Sequence, residues 1–133
     1  LVEEKFTRTR RPIFITQKDI RELQLAKSAI SAGIKILEKE LGIEHKDISE
    51  ILLAGAFGNF IRRSNAKRIG LIPDIPSEKI RFVGNSASSG AKLALLSEDL
   101  KKQAEEISKH TRYIELSTSS DFNNFFADEM LFN

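Results

Sequence analysis

The middle of the chain reads Glu50-Ile51-Leu52-Leu53-Ala54-Gly55, an apolar run that ends at a glycine. A continuous apolar run of this length, bounded by a turn residue, is typical of a strand buried on both faces, as in a parallel sheet. We therefore predict a strand over Glu50–Ala54 and a turn that starts at Gly55.

A second run of the same kind lies downstream. It reads Lys79-Ile80-Arg81-Phe82-Val83-Gly84, and the alanine- and leucine-rich residues 87–96 that follow have the composition of a helix. Strands separated by helices predict an α/β fold with right-handed crossovers and a mostly parallel sheet. Ligands of such sheets bind beyond the carboxyl ends of the strands, so Gly55 and Gly84 mark the expected functional edge.

Capping and stop signals delimit the first long helix. Thr16 followed by Asp19 resembles a capping box, and Gly42 supplies a left-handed stop, so we predict one helix over Gln17–Leu41. An apolar stripe runs along this helix, and small residues in it indicate close approach of a neighbouring element. The stripe consists of Ile20, Leu23, Ile30, Ile34, Leu37 and Leu41, and the small residues are Ala26, Ala29, Ala32 and Gly33.

Four further elements are predicted from shorter signals. Ser64–Ile69 is predicted as a short helix that ends at Gly70, and Ser97–His110 as a charged helix. Arg112–Leu116 is predicted as a short strand. A final helix begins near Ser120 and carries Phe122, Phe125, Phe126, Met130 and Leu131.

Length and composition restrict the class of protein. With 133 residues, 41% of them hydrophobic, the chain fits one domain, which we divide into a flexible basic arm over residues 1–12 and a folded segment over residues 13–133. A net charge of +2 does not indicate nucleic-acid binding. No apolar run reaches the ~18 residues of a membrane helix. Because cysteine is absent, this chain cannot hold an iron–sulfur cluster through thiolates of its own.

The turn after the first strand is the strongest candidate for a binding site. The residues Ala54-Gly55-Ala56-Phe57-Gly58-Asn59 lead a buried strand into two glycines, whose missing Cβ atoms would let the backbone approach a flat ligand such as adenosine. Asn59 adds a donor and an acceptor. An ordinary strand-to-helix turn is the alternative, since the spacing matches neither a Walker loop nor a dinucleotide-binding fingerprint.

Other polar and aromatic groups have simpler interpretations. Asn85 and Ser86 are interpreted as helix caps, although a helix N-terminus also suits an anion. His45 and His110 stand apart in charged surroundings and are interpreted as solvent-exposed. The three phenylalanines of the final helix lack interleaved Lys or Arg, which favours a core or docking role over base stacking.

Several stretches of the sequence resemble those of known proteins. The hydrophobic strand followed by Ala54-Gly55-Ala56-Phe57-Gly58-Asn59 is similar to the adenosine motif of the superfamily that includes acetate and sugar kinases, heat-shock chaperones and actin. The other matching stretches are Ile15-Thr16-Gln17-Lys18-Asp19-Ile20-Arg21, Gln24-Leu25-Ala26-Lys27, Asn65-Ala66, Arg68-Ile69-Gly70-Leu71-Ile72-Pro73, Ile80-Arg81-Phe82-Val83-Gly84-Asn85 and Tyr113-Ile114-Glu115-Leu116. In this order along the chain, they resemble the C-terminal domain of reductive activators of corrinoid proteins, which belong to that superfamily.

The resemblance implies a fold and a set of ligands. The fold would be the C-terminal part of a ribonuclease-H-like, actin-like ATPase lobe, α/β in class, with helices packed on a mostly parallel sheet. Gly55, Ala56, Gly58 and Asn59 would contact the adenosine of ATP, which binds with Mg. The phosphate- and metal-binding residues, and the cysteines of a [2Fe–2S] domain, would lie upstream of Leu1.

The resemblance also implies a partner and a reaction. The protein would be cytoplasmic and would act in the one-carbon metabolism of anaerobes, where it returns the cob(II)alamin of a corrinoid methyl-carrier protein to cob(I)alamin. Homodimer formation stays open. Because no catalytic and no metal-binding residue is assigned to this chain, we expect the isolated chain neither to hydrolyse ATP at a useful rate nor to transfer electrons.

Two other functions are compatible with the same residues. A small-molecule kinase of the same superfamily would use the glycine turn while it transfers phosphate to a carboxylate or a sugar. Cysteines upstream would distinguish an activator from such a kinase. A non-catalytic protein-interaction module would use the final helix as its binding element and the glycines only to form a turn.

Overall fold

Six helices and one two-stranded sheet make up the part of the chain that the computed structural model describes, which is residues 1–132 without the side chains of Phe57 and Asn59. None of the described helices is long and apolar enough to cross a membrane. In chain order the elements are α1 (Gln17–Leu41), β1 (Ile51–Ala54), α2 (Gly55–Phe60), α3 (Arg63–Arg68), β2 (Ile80–Gly84), α4 (Ser86–Leu96), α5 (Glu98–His110) and α6 (Ser120–Asp128), with short 3-10 turns at Glu4–Phe6, His45–Asp47 and Ser77–Lys79.

The strands β1 and β2 run parallel and end at the same edge of the sheet. Ile51 pairs with Ile80 at the start of the ladder, and Ala54 pairs with Gly84 at its end. The predicted strands and their parallel pairing are confirmed, with each bound within one residue. The prediction that β1 is buried on both faces is wrong for the described residues. Leu52 stays 55% exposed, and exposure alternates along the strand.

The core lies on the covered face of the sheet. Helix α3 and the loop that follows it fold over this face, and Gly70, with a φ of 71°, ends α3 as predicted. Helix α3 begins at Arg63, one residue before the predicted cap at Ser64. Each large apolar side chain removed from water here stabilises the fold by about 1.5–3 kcal/mol. The buried members of the core are Ala66, Leu71, Ile72, Ile75 and Ile80.

Helix α1 has the predicted bounds because its end signals are local. The Thr16 hydroxyl accepts a hydrogen bond from the backbone N–H of Asp19, and the Asp19 carboxylate accepts one from the backbone N–H of Thr16. At the other end Gly42 adopts a φ of 66° and donates its N–H to the last turn. A Cβ added to Gly33 would lie 3.6 Å from the Leu116 side chain, an ordinary van der Waals contact, so the predicted close approach does not require a glycine at this position.

The buried face of α1 is not its apolar stripe. Leu23, Ile30 and Leu37 are each 40% exposed or more, whereas Lys27 and Ser28 are fully buried. The reason is that α6 and the residues after it pack on the neighbouring, polar face of α1. They are held there by hydrogen bonds and ion pairs. The positions of apolar residues in a sequence do not reveal such contacts.

Helices α4 and α5 follow β2 as a pair, close to their predicted bounds. The Asn85 side chain accepts a hydrogen bond from the backbone N–H of Ser88 at 3.0 Å and so caps α4. The Ser97 hydroxyl accepts one from the N–H of Leu100 at 3.3 Å and caps α5. These contacts confirm that Asn85 is a helix cap.

The predicted strand at Arg112–Leu116 is wrong. Residues 112–116 form no ladder, because the Glu115 carboxylate accepts hydrogen bonds from the backbone and hydroxyl of Ser117 and fixes a local turn. Helix α6 starts at Ser120 as predicted, but it ends at Asp128. Met130 and Leu131, which were predicted to lie on it, follow the helix end.

The N-terminal residues pair with the segment before α1. Val2 and Ile13 exchange two backbone hydrogen bonds of 2.9 Å, which makes one antiparallel bridge. Flexibility of the arm over residues 1–12 remains a prediction.

Candidate functional site

Gly55, the first residue of α2, forms the turn from β1 into that helix. Its φ of 75° lies in the left-handed region, which costs a residue with a side chain about 1–2 kcal/mol. A Cβ added to Gly55 would meet nothing within 4 Å, so the space beside this backbone is open. The next residue, Ala56, is exposed. The turn presents bare backbone at the sheet edge, which is the condition that contact with adenosine requires.

Gly84 ends β2 directly beside this turn. It is the ladder partner of Ala54, has a φ of 64°, and a Cβ added to it would also meet nothing within 4 Å. The strand register thus brings Gly55 and Gly84, predicted to lie at one edge, to adjacent positions. Together they leave an uncrowded space at the carboxyl ends of both strands.

Gly58 contributes in a different way from Gly55. It is buried, and a Cβ added to it would lie 3.0 Å from the carbonyl oxygen of Leu53 and 3.2 Å from its Cβ. The missing Cβ of Gly58 therefore lets α2 pack closely against β1, and it does not open space for a ligand. The side chain of Asn59 lies outside the described part of the structure, so its predicted contact stays a prediction.

The residues at the open edge carry no charged side chains. Gly55, Ala56, Gly84 and Asn85 have no titratable side chains, and the Asn85 oxygen is already used as the cap of α4. The arrangement can bind and orient a flat ligand through backbone groups. It supplies no general acid or base of its own.

Arg63, the first residue of α3, is a polar residue that the sequence did not single out. Its guanidinium carbon lies 5.0 Å from the centre of the Phe82 ring, and its Nη1 donates to the carbonyl oxygen of Ser77 at 3.4 Å. Its Nε is buried without a hydrogen-bond partner among the described residues. No sequence signal distinguished Arg63 from the other basic residues of its segment, since stacking on Phe82 depends on the sheet register.

A small apolar cavity of about 160 Å³ lies behind the turn. It separates α1 from β1 and α2, and Gly58 lies in its wall. The other lining residues are Ile30, Leu52, Leu53, Ala54, Ile61, Ala66, Leu71 and Ile72. An apolar lining of this kind supports packing, and it holds no polar group that would fix a ligand.

The two histidines lie in different surroundings. Nδ1 of His45 contacts the Glu38 carboxylate at the end of α1, and Nδ1 of His110 contacts the carbonyl oxygen of Glu106 at 2.8 Å. His45 is about half exposed and His110 is exposed, as the sequence predicts. In the described part of the chain, no three His, Asp or Glu side chains cluster as metal ligands do.

Comparison with known proteins relates this fold to one group of proteins. Residues 1–133 match the family model described as "C-terminal domain of RACo the ASKHA domain". A solved structure, "Reductive activator for corrinoid,iron-sulfur protein", is similar with a TM-score of 0.87 and 33% identity over 99% of this chain and 21% of that one. This similarity confirms the predicted fold, the α/β C-terminal part of an actin-like ATPase lobe.

Two curated relatives carry related names. "Corrinoid activation enzyme RamQ" of Eubacterium limosum is 43% identical over 125 residues, which cover 90% of this chain and 21% of the relative. "[Co(II) methylated amine-specific corrinoid protein] reductase" of Methanosarcina barkeri is 31% identical over 119 residues, which cover 89% of this chain and 22% of the relative. The chain thus spans about a fifth of the length of these relatives. By its family match over every residue, it belongs to the family of the C-terminal, ASKHA domain of RACo.

Proposed function

We propose that this chain is the adenosine-binding part of an ATP-dependent reductive activator, which returns the cob(II)alamin of a corrinoid protein to cob(I)alamin. The observation that carries the proposal is the pair of open, left-handed glycines, Gly55 and Gly84, at the carboxyl edge of a parallel sheet. The names of the relatives, which concern corrinoid activation and reduction, support the choice of reaction.

In this proposal the chain's own residues bind and orient the nucleotide. Backbone of Gly55 and Ala56 approaches one side of the adenosine and backbone of Gly84 approaches the other, while Asn59 supplies hydrogen bonds. Gly58 acts as a positioning residue, because it fixes α2 against the Leu53 backbone. ATP, once bound, supplies the free energy that makes an unfavourable one-electron reduction of cobalt proceed.

The remaining groups of the reaction need other parts of a longer protein. The described residues contain no cluster of acidic side chains or histidines suited to a metal ion, and the chain has no cysteine. We therefore assign the Mg ligands, the phosphate-binding turns and the [2Fe–2S] cluster to regions outside this chain. In this proposal the chain alone is inactive in ATP hydrolysis and electron transfer. We also propose that the whole protein acts in the cytoplasm of an anaerobe.

The test is ATP-dependent reduction by the full-length protein. A corrinoid protein in the cob(II)alamin state is mixed with the full-length protein, an electron donor and Mg-ATP, and the electron paramagnetic resonance signal of Co(II) is followed. The proposal expects the signal to disappear only with ATP. A full-length protein that binds ATP and phosphorylates a carboxylate or sugar, with the signal unchanged, would indicate a kinase. Absence of ATP binding would indicate a protein-interaction module.

A further inference from the structure

Lys27, in the middle of α1, is a fully buried lysine. Its Nζ donates to the carbonyl oxygen of Leu131 at 2.6 Å and lies 3.6 Å from a carboxylate oxygen of Glu129. The centre of the Phe132 ring lies 5.9 Å from the same nitrogen. An ammonium group taken out of water is strongly destabilising unless it is paired and hydrogen-bonded. Among the described residues, all three compensating groups belong to the C-terminal segment 129–132.

Glu129 is the second fixed point of this segment. Its carboxylate forms an ion pair with Lys35 at 2.5 Å and accepts a hydrogen bond from the Ser31 hydroxyl at 2.9 Å. One residue later, the carbonyl oxygen of Met130 accepts a hydrogen bond from Gln24 Nε2 at 2.8 Å. The residues of α1 that hold the segment recur every three or four positions, so one face of α1 binds the whole segment. They are Gln24, Lys27, Ser31 and Lys35.

Two of the three apolar side chains in the segment bury little surface, and only Met130 is partly buried. The side chain of Leu131 stays 70% exposed and that of Phe132 stays 41% exposed. A C-terminal segment that was fixed by the hydrophobic effect would bury these two residues first. Segment 129–132 is instead held by a carboxylate and two backbone carbonyls.

We propose that residues 129–132 form a polar latch, which is anchored by Lys27 and which holds the C-terminal end of α6 on α1 or releases it as one unit. Detachment of the segment removes every described partner of Lys27 in a single step, so partly attached states are unfavourable. The helix that the latch holds, α6, also contributes to a cavity wall. Phe125 of α6 lies 5.7 Å from Lys35 Nζ, and both line the cavity of about 950 Å³ between α1, α6 and the loop before β2.

Release of the latch therefore has two consequences. It exposes the ammonium group of Lys27 to water, and it frees the C-terminal end of α6, the helix whose Phe125 lines the cavity. Neither consequence depends on nucleotide, so the latch stands apart from the proposed function of the glycine turn.

Amide hydrogen exchange of the chain tests the latch. In the Lys27→Met and Glu129→Gln variants, we expect the amide of Met130 to exchange roughly tenfold faster or more, while the amide of Leu53 in β1 keeps its protection. Lys18→Met, an exposed position on the same helix, is the matched control and should change neither amide.

Three results would overturn the proposal. One is unchanged exchange at Met130 in both variants, which would mean that apolar contacts hold the segment. Another is a loss of protection in Glu129→Gln that spreads to Leu53, because the segment would then not be a separable unit. The third is an equal effect of Lys18→Met on exchange at Met130.

If Lys27→Met fails to fold, Glu129→Gln decides alone, since this substitution removes the charge of the side chain and keeps its shape.

Discussion

Ala54 faces Gly84 at the last step of the parallel ladder, so the turns that follow the two strands leave the sheet side by side. Both turns begin with a glycine at positive φ whose surroundings are open. Residues with side chains at these positions would face both backbone strain and the loss of the space between the turns. The sheet register, more than any single side chain, therefore defines the candidate adenosine site.

Gly58→Ala tests the packing role assigned to Gly58. The new Cβ would lie 3.0 Å from the Leu53 carbonyl oxygen, so α2 must move away from β1, at a cost of about 1–3 kcal/mol in the free energy of unfolding. Gly90→Ala is the matched control, since a Cβ there meets nothing within 4 Å and its helix should gain about 0.5–1 kcal/mol. Urea unfolding of both variants measures the difference. Equal stabilities would contradict the packing role.

Replacement of Asn85 tests its role as the cap of α4. Asn85→Ala removes the acceptor for the Ser88 N–H and should lower the free energy of unfolding by about 1 kcal/mol. Asn85→Asp keeps an acceptor and should restore most of this loss. Thermal unfolding of the two variants gives the comparison. If Asp fails to restore stability, the side chain stabilises the fold by some contact other than the cap.

Acid should release the C-terminal segment. Burial raises the pKa of Glu129, but hydrogen bonds from Lys35 and Ser31 and the charges of Lys35 and Lys27 outweigh burial and hold this pKa below the ordinary 4.5. When segment 129–132 is detached, the Glu129 carboxyl has its ordinary pKa. Attachment of the segment to α1 is therefore fully favoured above pH 4.5, and it weakens as the pH falls through the lowered pKa of the attached state. Exchange at the Met130 amide between pH 7 and 3 measures this. The rates must first be corrected for the intrinsic dependence of exchange on pH.

Two variants test whether the acid-induced release of segment 129–132 comes from titration of Glu129. Glu129→Gln should abolish the pH dependence of docking, because the titrating group is gone. Glu115→Gln should keep it, although hydrogen bonds from Ser117 and Tyr113 lower the pKa of Glu115 to about 2. An acid response that survives in Glu129→Gln would contradict the assignment of this response to Glu129.

The sequence predicted those elements whose signals are local. Thr16, Asp19 and Gly42 define α1 within a few residues of chain, and each uses the contact that its residue type suggests. Gly55 and Gly84 were likewise identified because an apolar run that stops at a glycine predicts a strand end. Their adjacency followed from the rule that parallel strands end at one edge.

Features that depend on distant partners were not predicted. An apolar pattern cannot show that α1 buries Lys27, because the carbonyl group of Leu131 that accepts its hydrogen bond is 104 residues away in the chain. The turn at Glu115 replaced a predicted strand, since hydrogen bonds to Ser117 compete with a ladder. The packing role of Gly58 depends on where its Cβ would point, which only the fold determines.

ATP affinity of the full-length Gly55→Val variant, measured by calorimetry, tests the central claim most directly. Gly42→Val is the matched control, because Gly42 has a similar φ of 66° and open surroundings but lies at the end of α1, away from the site. Both variants should lose a similar amount of stability. The account predicts that only Gly55→Val weakens ATP binding, by roughly tenfold or more, or about 1.4 kcal/mol. An affinity equal to that of the unmodified protein would contradict it.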